Sequence, residues 1–228
     1  MKRAFNFGAL GVVLLVAGCV GATSNGQIGG ESVPFLENIQ ASADEVDSWT
    51  LGSLNLVIPE ELRVSTNPNA QFPREEIVWW GDPDGDRREQ VRDIMTRSLM
   101  AATQTLDGSK PVDMTVRLAL FHAVTPRARR GMFFAWHDVS YAVDVRDSAT
   151  GELLASIPKI DADLEALRGE QADLAVERGQ TQRVRISRRI ARVTRDWLAS
   201  SGASLAQPGP VYKIEVIPAT LEEEVASQ

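Results

Sequence analysis

Apolar and polar residues alternate or recur with helical spacing along the first half of the chain, and each pattern predicts one element. Trp49–Ile58 predicts a strand that stops at Pro59. Arg87–Leu106 predicts an amphipathic helix, because its apolar residues recur every three or four positions. Asp86 and Glu89 form the capping-box pattern at its start.

The second half of the chain predicts three more strands and a final helix. Val112–His122 and Phe134–Asp147 both alternate strictly, as strands with one buried face do. Asp147–Gly151 has the composition of a hairpin turn, and Glu152–Ile157 follows it as the returning strand. Gln180–Ser200 predicts the last helix.

The order β-α-β-β-β-α predicts an α+β fold with an antiparallel sheet of about four strands. Packing both helices on one face buries that face and both apolar helix stripes. The predicted divisions are a signal peptide (1–18), a lipidated cysteine with a flexible tether (19–34), a single domain (35–200) and a tail with a candidate edge strand at Tyr212–Val216 (201–228).

The N-terminus has the pattern of a bacterial lipoprotein export signal. Lys2 and Arg3 precede an apolar run over Ala4–Ala17, which is shorter than the roughly 20 residues that span a bilayer. Val16-Ala17-Gly18-Cys19 then matches a lipobox: an aliphatic residue, two small residues and the chain's single cysteine. We therefore expect cleavage before Cys19 and attachment of palmitate-type acyl chains to it.

The lipobox also predicts a location and partners. Position 20 is Val rather than Asp, and in bacterial lipoproteins an Asp there resembles an inner-membrane retention signal. We therefore expect an outer-membrane lipoprotein on the periplasmic face, held to the membrane by its anchor. Its expected partner is another envelope protein, and no nucleic acid is expected in that compartment.

The segment Trp79–Arg87 is the most distinctive part of the domain. Asp82, Asp84 and Asp86 have the spacing of a calcium loop, but Arg87 stands where such a loop requires Gly. The alternative is a turn whose last Asp caps the helix. The two tryptophans, Trp79 and Trp80, belong either to the core or to a surface that binds a partner.

The two histidines and the clustered arginines are further candidates. A hairpin centred on residues 129–130 would place His122 and His137 opposite each other, either as metal ligands or as a buried pair without a ligand. Two basic groups predict an anion- or partner-binding surface, with a solvated face as the alternative: a loop with Arg127, Arg129 and Arg130, and a helix stripe with Arg185, Arg188, Arg189, Arg192 and Arg195.

The sequence contains no G-x-S-x-G elbow, P-loop, H-E-x-x-H or dinucleotide glycine pattern. We therefore expect no enzyme activity and no cofactor. Two alternatives remain open, a calcium- or metal-binding module and an enzyme whose site is assembled in three dimensions.

Three segments, Trp79–Arg87, Phe121–Thr125 and Gly179–Val184, resemble an uncharacterised family of Gram-negative envelope lipoproteins. The resemblance covers roughly Trp49–Ala199 and implies an envelope location and a single domain. It implies no catalytic residues. The element order is also similar to small domains of outer-membrane accessory lipoproteins, which is an analogy of fold.

Overall fold

The computed structural model describes residues 38–131 and 135–199, which form a mixed sheet with helices packed against it. The signal peptide, the tether, the tail from residue 201 and the predicted strand at Tyr212–Val216 lie outside the described residues. The elements are α1 (Ala43–Asp47), β1 (Trp49–Val57), β2 (Ile77–Val78), α2 (Arg87–Thr103), β3 (Lys110–His122), α3 (Pro126–Gly131), β4 (Trp136–Asp147), β5 (Leu153–Asp161), β6 (Leu164–Glu165), α4 (Gly169–Glu177) and α5 (Gln182–Ala199).

The α+β class is confirmed, but the prediction of a four-stranded antiparallel sheet is wrong. The four long strands lie in the order β1-β3-β4-β5, and the short strands β2 and β6 pair with β3 and β4. Strand β1 runs parallel to β3, whereas β3, β4 and β5 are antiparallel. The cause is α2, because a helical crossover returns the chain to the same end of the sheet and so makes the two joined strands parallel.

The two long helices, α2 and α5, share one core with the inner face of β3 and β4. The predicted alternation is confirmed, since Val112 through Leu118 on β3 and Val139 through Val145 on β4 bury every second side chain in this core. Inside it, the hydroxyls of Tyr141 on β4 and Thr194 on α5 form a hydrogen bond of 2.7 Å. That bond gives both buried hydroxyls a partner and fixes α5 against the sheet.

An irregularity in β3 overturns the predicted histidine pair. The β3–β4 register shifts between Leu118 and Leu120, which reverses the side-chain alternation beyond that point. Phe121 consequently faces the core and His122 is only half-buried. His122 pairs with Asp138 rather than with His137, so the two imidazoles do not lie opposite each other.

Two further segments differ from the prediction. The predicted hairpin loop at residues 129–130 is the short helix α3, which begins after Thr125, whose Oγ1 accepts a hydrogen bond from the Ala128 N–H (3.1 Å). The final helix is preceded by a separate helix, α4. Gly179 lies between α4 and α5 with a φ of 70°, a conformation that favours glycine.

The described part of the chain, 38–131 with 135–199, includes no helix with the length and apolar character that crossing a membrane requires.

We expect Gly108→Ala to destabilise the domain. A Cβ at position 108 would lie 2.1 Å from the carbonyl carbon of Ser48, so the backbone would have to move. Overpacking of this kind lowers the free energy of unfolding by about 2 to 3 kcal/mol, measured by urea denaturation.

Gly131→Ala is the matched control, because a Cβ there meets nothing within 4 Å. It should change the free energy of unfolding by less than about 1 kcal/mol. Equal effects of the two substitutions would contradict the close approach at Gly108.

Candidate anion-binding site at α3, α4 and α5

Trp79 is a core residue, which confirms the first of the two alternatives for this tryptophan and excludes the partner surface. Its side chain is fully buried and packs edge-to-face on Phe121, with ring centroids 5.8 Å apart. Its Nε1–H donates a hydrogen bond to the Asp82 carboxylate (2.9 Å). Gly81 is required beside it, because a Cβ there would lie 2.3 Å from the indole ring. The Trp-Trp-Gly-Asp sequence is thus explained by packing.

Trp80 is half-buried and is covered by Arg87, whose guanidinium lies 4.7 Å from the ring centroid. The same guanidinium donates to the carbonyls of Asp82 and Pro83 (3.1 and 3.0 Å) and pairs with Asp84 (3.0 Å). Arg87 therefore closes the loop over Trp80 by cation–π contact and hydrogen bonds.

Asp82, Asp84 and Asp86 are each held by different groups and do not converge as the calcium-loop spacing predicts. Asp82 pairs with Arg183, Asp84 pairs with Arg87, and Asp86 caps α2 by accepting from two backbone N–H groups at 2.9 and 3.1 Å. In the residues that the structure describes, no group of three or more His, Cys, Asp or Glu side chains is placed to hold a metal ion.

Arg183 connects the start of α5 to two other parts of the fold. Its guanidinium pairs with Asp82 in the 79–87 loop and with Asp93 on α2. The cap prediction at α2 is half correct, because Asp86 accepts the backbone hydrogen bonds while the Glu89 carboxylate pairs with Arg92 (3.2 Å). The sequence pattern does not distinguish Arg183, although it lies in the same helix as the predicted stripe.

The five predicted stripe arginines of α5 differ from Arg183, since none has a carboxylate partner among the described residues. Four of them donate to uncharged oxygens instead: Arg185 to the Glu165 carbonyl (2.8 Å), Arg188 to the Gln180 amide, Arg189 to the Asp163 carbonyl (3.0 Å) and Arg195 to the Ala101 carbonyl (3.2 Å). Arg192 is exposed. These contacts position the guanidinium groups without neutralising them.

The structure brings part of the α3 basic loop next to the α5 stripe. Arg129 reaches Asp173 on α4 at 3.4 Å and lines the same groove as Arg185. Arg127 and Arg130 point into solvent. The two basic groups, 55 or more residues apart in sequence, therefore meet at one place.

The groove lies between α4 and the start of α5 and has a volume of about 380 Å³. The sequence pattern does not reveal the apolar wall of the groove, because it predicts no separate helix at α4. The exposure of Leu174 (40%) and Val176 (43%) is evident only in the fold. The groove and its narrow adjoining end are lined by Arg129, Leu167, Gln171, Ala172, Leu174, Ala175, Val176, Arg178, Gln180, Gln182 and Arg185.

His137 is buried near this groove, with 1% of its surface exposed. The Val124 N–H donates to its Nδ1 (3.3 Å), which places the imidazole proton on Nε2. Among the described residues Nε2 has no hydrogen-bond partner. Burial, together with the weaker effect of the positive charges of Arg185 and Arg129, lowers the pKa of His137 to about 3.

We expect acid to destabilise the fold through His137. The unfolded chain binds the imidazole proton near pH 6.5 and the folded chain only near pH 3, so the free energy of unfolding falls as the pH drops below 6.5. Between pH 7 and pH 5 this residue accounts for a loss of about 2 kcal/mol.

Urea unfolding at pH 7, 6 and 5 tests this. His137→Gln should remove that component of the pH dependence, whereas His122→Gln, the control at the half-buried histidine, should retain it. The same pH dependence in the wild-type chain and in His137→Gln would contradict the result.

Comparison with known proteins shows a family match but no functional match. The model of DUF6778, a family of unknown function, matches residues 49–211. Comparison with curated protein sequences gives no match. Two solved structures are similar: a candidate lipoprotein from Caulobacter crescentus CB15 (13% identity, TM-score 0.35, 69% of this chain and 91% of that chain) and a Xanthomonas campestris protein of family DUF330 (12% identity, TM-score 0.39, 74% of this chain and 89% of that chain).

These two likenesses support no inference about function. The family match covers most of the chain and confirms the expectation of an uncharacterised family: the chain belongs to DUF6778, a family of unknown function.

Proposed function

We propose that this protein is a lipid-anchored outer-membrane lipoprotein whose domain binds an acidic envelope protein on the periplasmic side. The lipobox ending at Cys19 supports the anchor, and Val20 supports the outer membrane. The proposal assigns the domain no reaction and no cofactor, because recognition by complementary charge needs neither.

The observation that carries the proposed binding role is the uncompensated charge of α5. The helix has six arginines and one acid, Asp196. Only Arg183 among the six pairs with carboxylates in the described part of the chain. Arg188, Arg192 and Arg195 are exposed and form the outer arginine face of the helix. An acidic partner surface would supply the missing negative charge and accelerate association.

Arginine suits this role better than lysine would. A guanidinium keeps its charge at any physiological pH and presents several N–H groups in one plane. Arg195 can donate one N–H to the Ala101 carbonyl (3.2 Å) and still offer others to a carboxylate of the partner. Arg195 is therefore held in place before a partner arrives.

We expect Cys19→Ser to abolish lipidation of the full chain. Serine has no thiol to accept the diacylglyceryl group, so processing before residue 19 should stop. Mass spectrometry of the purified chain measures the result. An identical N-terminus and mass shift in wild-type and Cys19→Ser chains would contradict the proposed anchor.

We expect charge reversal on the outer arginine face to weaken partner capture. A photo-crosslinking amino acid at exposed position Ala199, which lies about two turns after Arg192 on the same side of α5, would report the neighbour in intact cells. The double variant Arg188→Glu, Arg192→Glu should reduce the yield of the main crosslinked product by about fivefold or more, because it turns attraction into repulsion.

The control is Arg74→Glu, Lys159→Glu, which makes the same change in net charge at two exposed positions outside α5. This control should keep the crosslinking yield near that of the parent chain. Equal losses in both double variants would show that net charge, and not the outer arginine face, determines capture.

A further inference from the structure

The groove between α4 and α5 combines an apolar wall with positive charge. Leu167, Leu174 and Ala175 form the apolar part, and Arg178 and Arg185 line the same space. Its volume of about 380 Å³ falls in the range of small-molecule sites. Such a combination matches a ligand that has one charged end and one apolar end. It is distinct from the outer arginine face, which uses other side chains of α5.

The charges at the groove are incompletely neutralised within the described residues. Arg185 donates to the Glu165 carbonyl, and burial lowers its pKa. Arg129 lies 3.4 Å from Asp173, whose side chain is 78% exposed, so water screens that pair strongly. Two guanidinium groups thus line one narrow space, and only one of them has a carboxylate partner there. An anionic oxygen between them would be attracted to both.

His137 gives an independent indication of an anionic ligand. It faces the same side of β4 as Tyr141, which is bonded to Thr194, and it lies four residues earlier on the strand. Because β4 and α5 run in the same direction along this contact, His137 faces the first turns of α5, where Arg185 donates to the carbonyl of Glu165, the strand partner of Trp136. Its Nε2–H is a buried donor without an acceptor in the described part of the chain. Phosphate and carboxylate oxygens are acceptors that fit this donor.

Gln182 adds a second unsatisfied group at the narrow end of the groove. Its Oε1 is buried and has no hydrogen-bond partner among the described residues. Rotation of the carboxamide by a half-turn places its NH₂ at the same point, because the two orientations have nearly the same shape. Two polar side chains, from β4 and from α5, can therefore both donate to one anion.

We propose that this groove binds an anionic amphiphile, a molecule with a phosphate or carboxylate head and one apolar chain. The head accepts hydrogen bonds from Arg129, Arg185 and the Nε2–H of His137. The apolar chain lies along Leu167 and Leu174. A cation is disfavoured at this place by the guanidinium groups, and a wholly neutral amphiphile would leave the buried donor unsatisfied.

The experiment uses the full chain in nanodiscs of zwitterionic lipid, labelled with ¹⁵N-histidine. The chain has two histidines, so His137 reports on the groove and His122 serves as the internal control. Octyl phosphate and octanoate test the two head groups. Octyl glucoside tests a neutral head, and inorganic phosphate tests a head without a chain. We expect both anionic amphiphiles to shift the His137 signals without shifting those of His122.

Matched variants on one helix locate the site. Arg185→Gln should weaken binding of octyl phosphate by about tenfold or more, while Arg192→Gln, on the outer arginine face, should leave it unchanged. Leu174→Ser should weaken the binding of octyl phosphate but not the binding of inorganic phosphate. Thermal denaturation shows whether each variant is folded. If Arg185→Gln is not folded, the titration of the wild-type chain with the four ligands decides whether the groove binds an anionic amphiphile.

Several outcomes would overturn the proposal. These are unmoved His137 signals at millimolar octyl phosphate, an equal shift with octyl glucoside, or equal affinities in Arg185→Gln and Arg192→Gln. Inorganic phosphate binding as tightly as octyl phosphate would also overturn it, since the site would then take a free anion and not an amphiphile. Stronger binding of octyl phosphate than of octanoate, or the reverse, identifies the head group.

Discussion

The rotation of α5 about its own axis determines what this domain presents to solvent. Ile186 and Ile190 are buried against the sheet, and Thr194 bonds to Tyr141 on β4. At the first turn, Arg183 pairs with Asp82 and with α2. Apolar packing alone tolerates small rotations, whereas a buried hydrogen bond and a two-carboxylate ion pair at opposite ends of the helix do not. The positions of the other arginines follow from these anchors.

The fold was predictable in the segments where apolar residues recur with one clear spacing, either that of a helix or that of a strand. Helix α2 starts at Arg87 as expected, and β1 starts at Trp49 as expected. The parallel pairing of β1 and β3 was also within reach of the sequence, because a helical crossover implies it. The register shift of β3 between Leu118 and Leu120 could not be predicted. Leu118, Leu120 and Phe121 are all apolar, so either alternation of the strand would bury an apolar side chain. A single shifted residue there decides which way His122 faces.

The candidate site was only half predictable, for a different reason. Arg129 and Arg185 stand out in the sequence as members of two basic groups, but the residues around each of them do not indicate that the two lie close together in the fold. Their proximity depends on α4, a short helix in which apolar and polar residues are equally frequent and whose end is followed by Gly179. The distinctive 79–87 segment raised the opposite problem. Its aspartates suggested a ligand, yet packing around Trp79 and capping of α2 account for them.

Arginine has two physically different roles in this protein, and the difference concerns what happens to its charge. When Arg183 or Arg87 pairs with carboxylates, the charge is neutralised and the contact holds the fold together. When Arg185 or Arg189 donates to a backbone carbonyl, the guanidinium is equally well placed but remains positive. Fixing a long side chain in advance lowers the entropy lost on binding, so a positioned and uncompensated guanidinium favours binding of an anion more than a freely moving one does. The fold thus neutralises Arg183, which joins three of its parts, and leaves the stripe arginines of α5 without a carboxylate partner among the described residues.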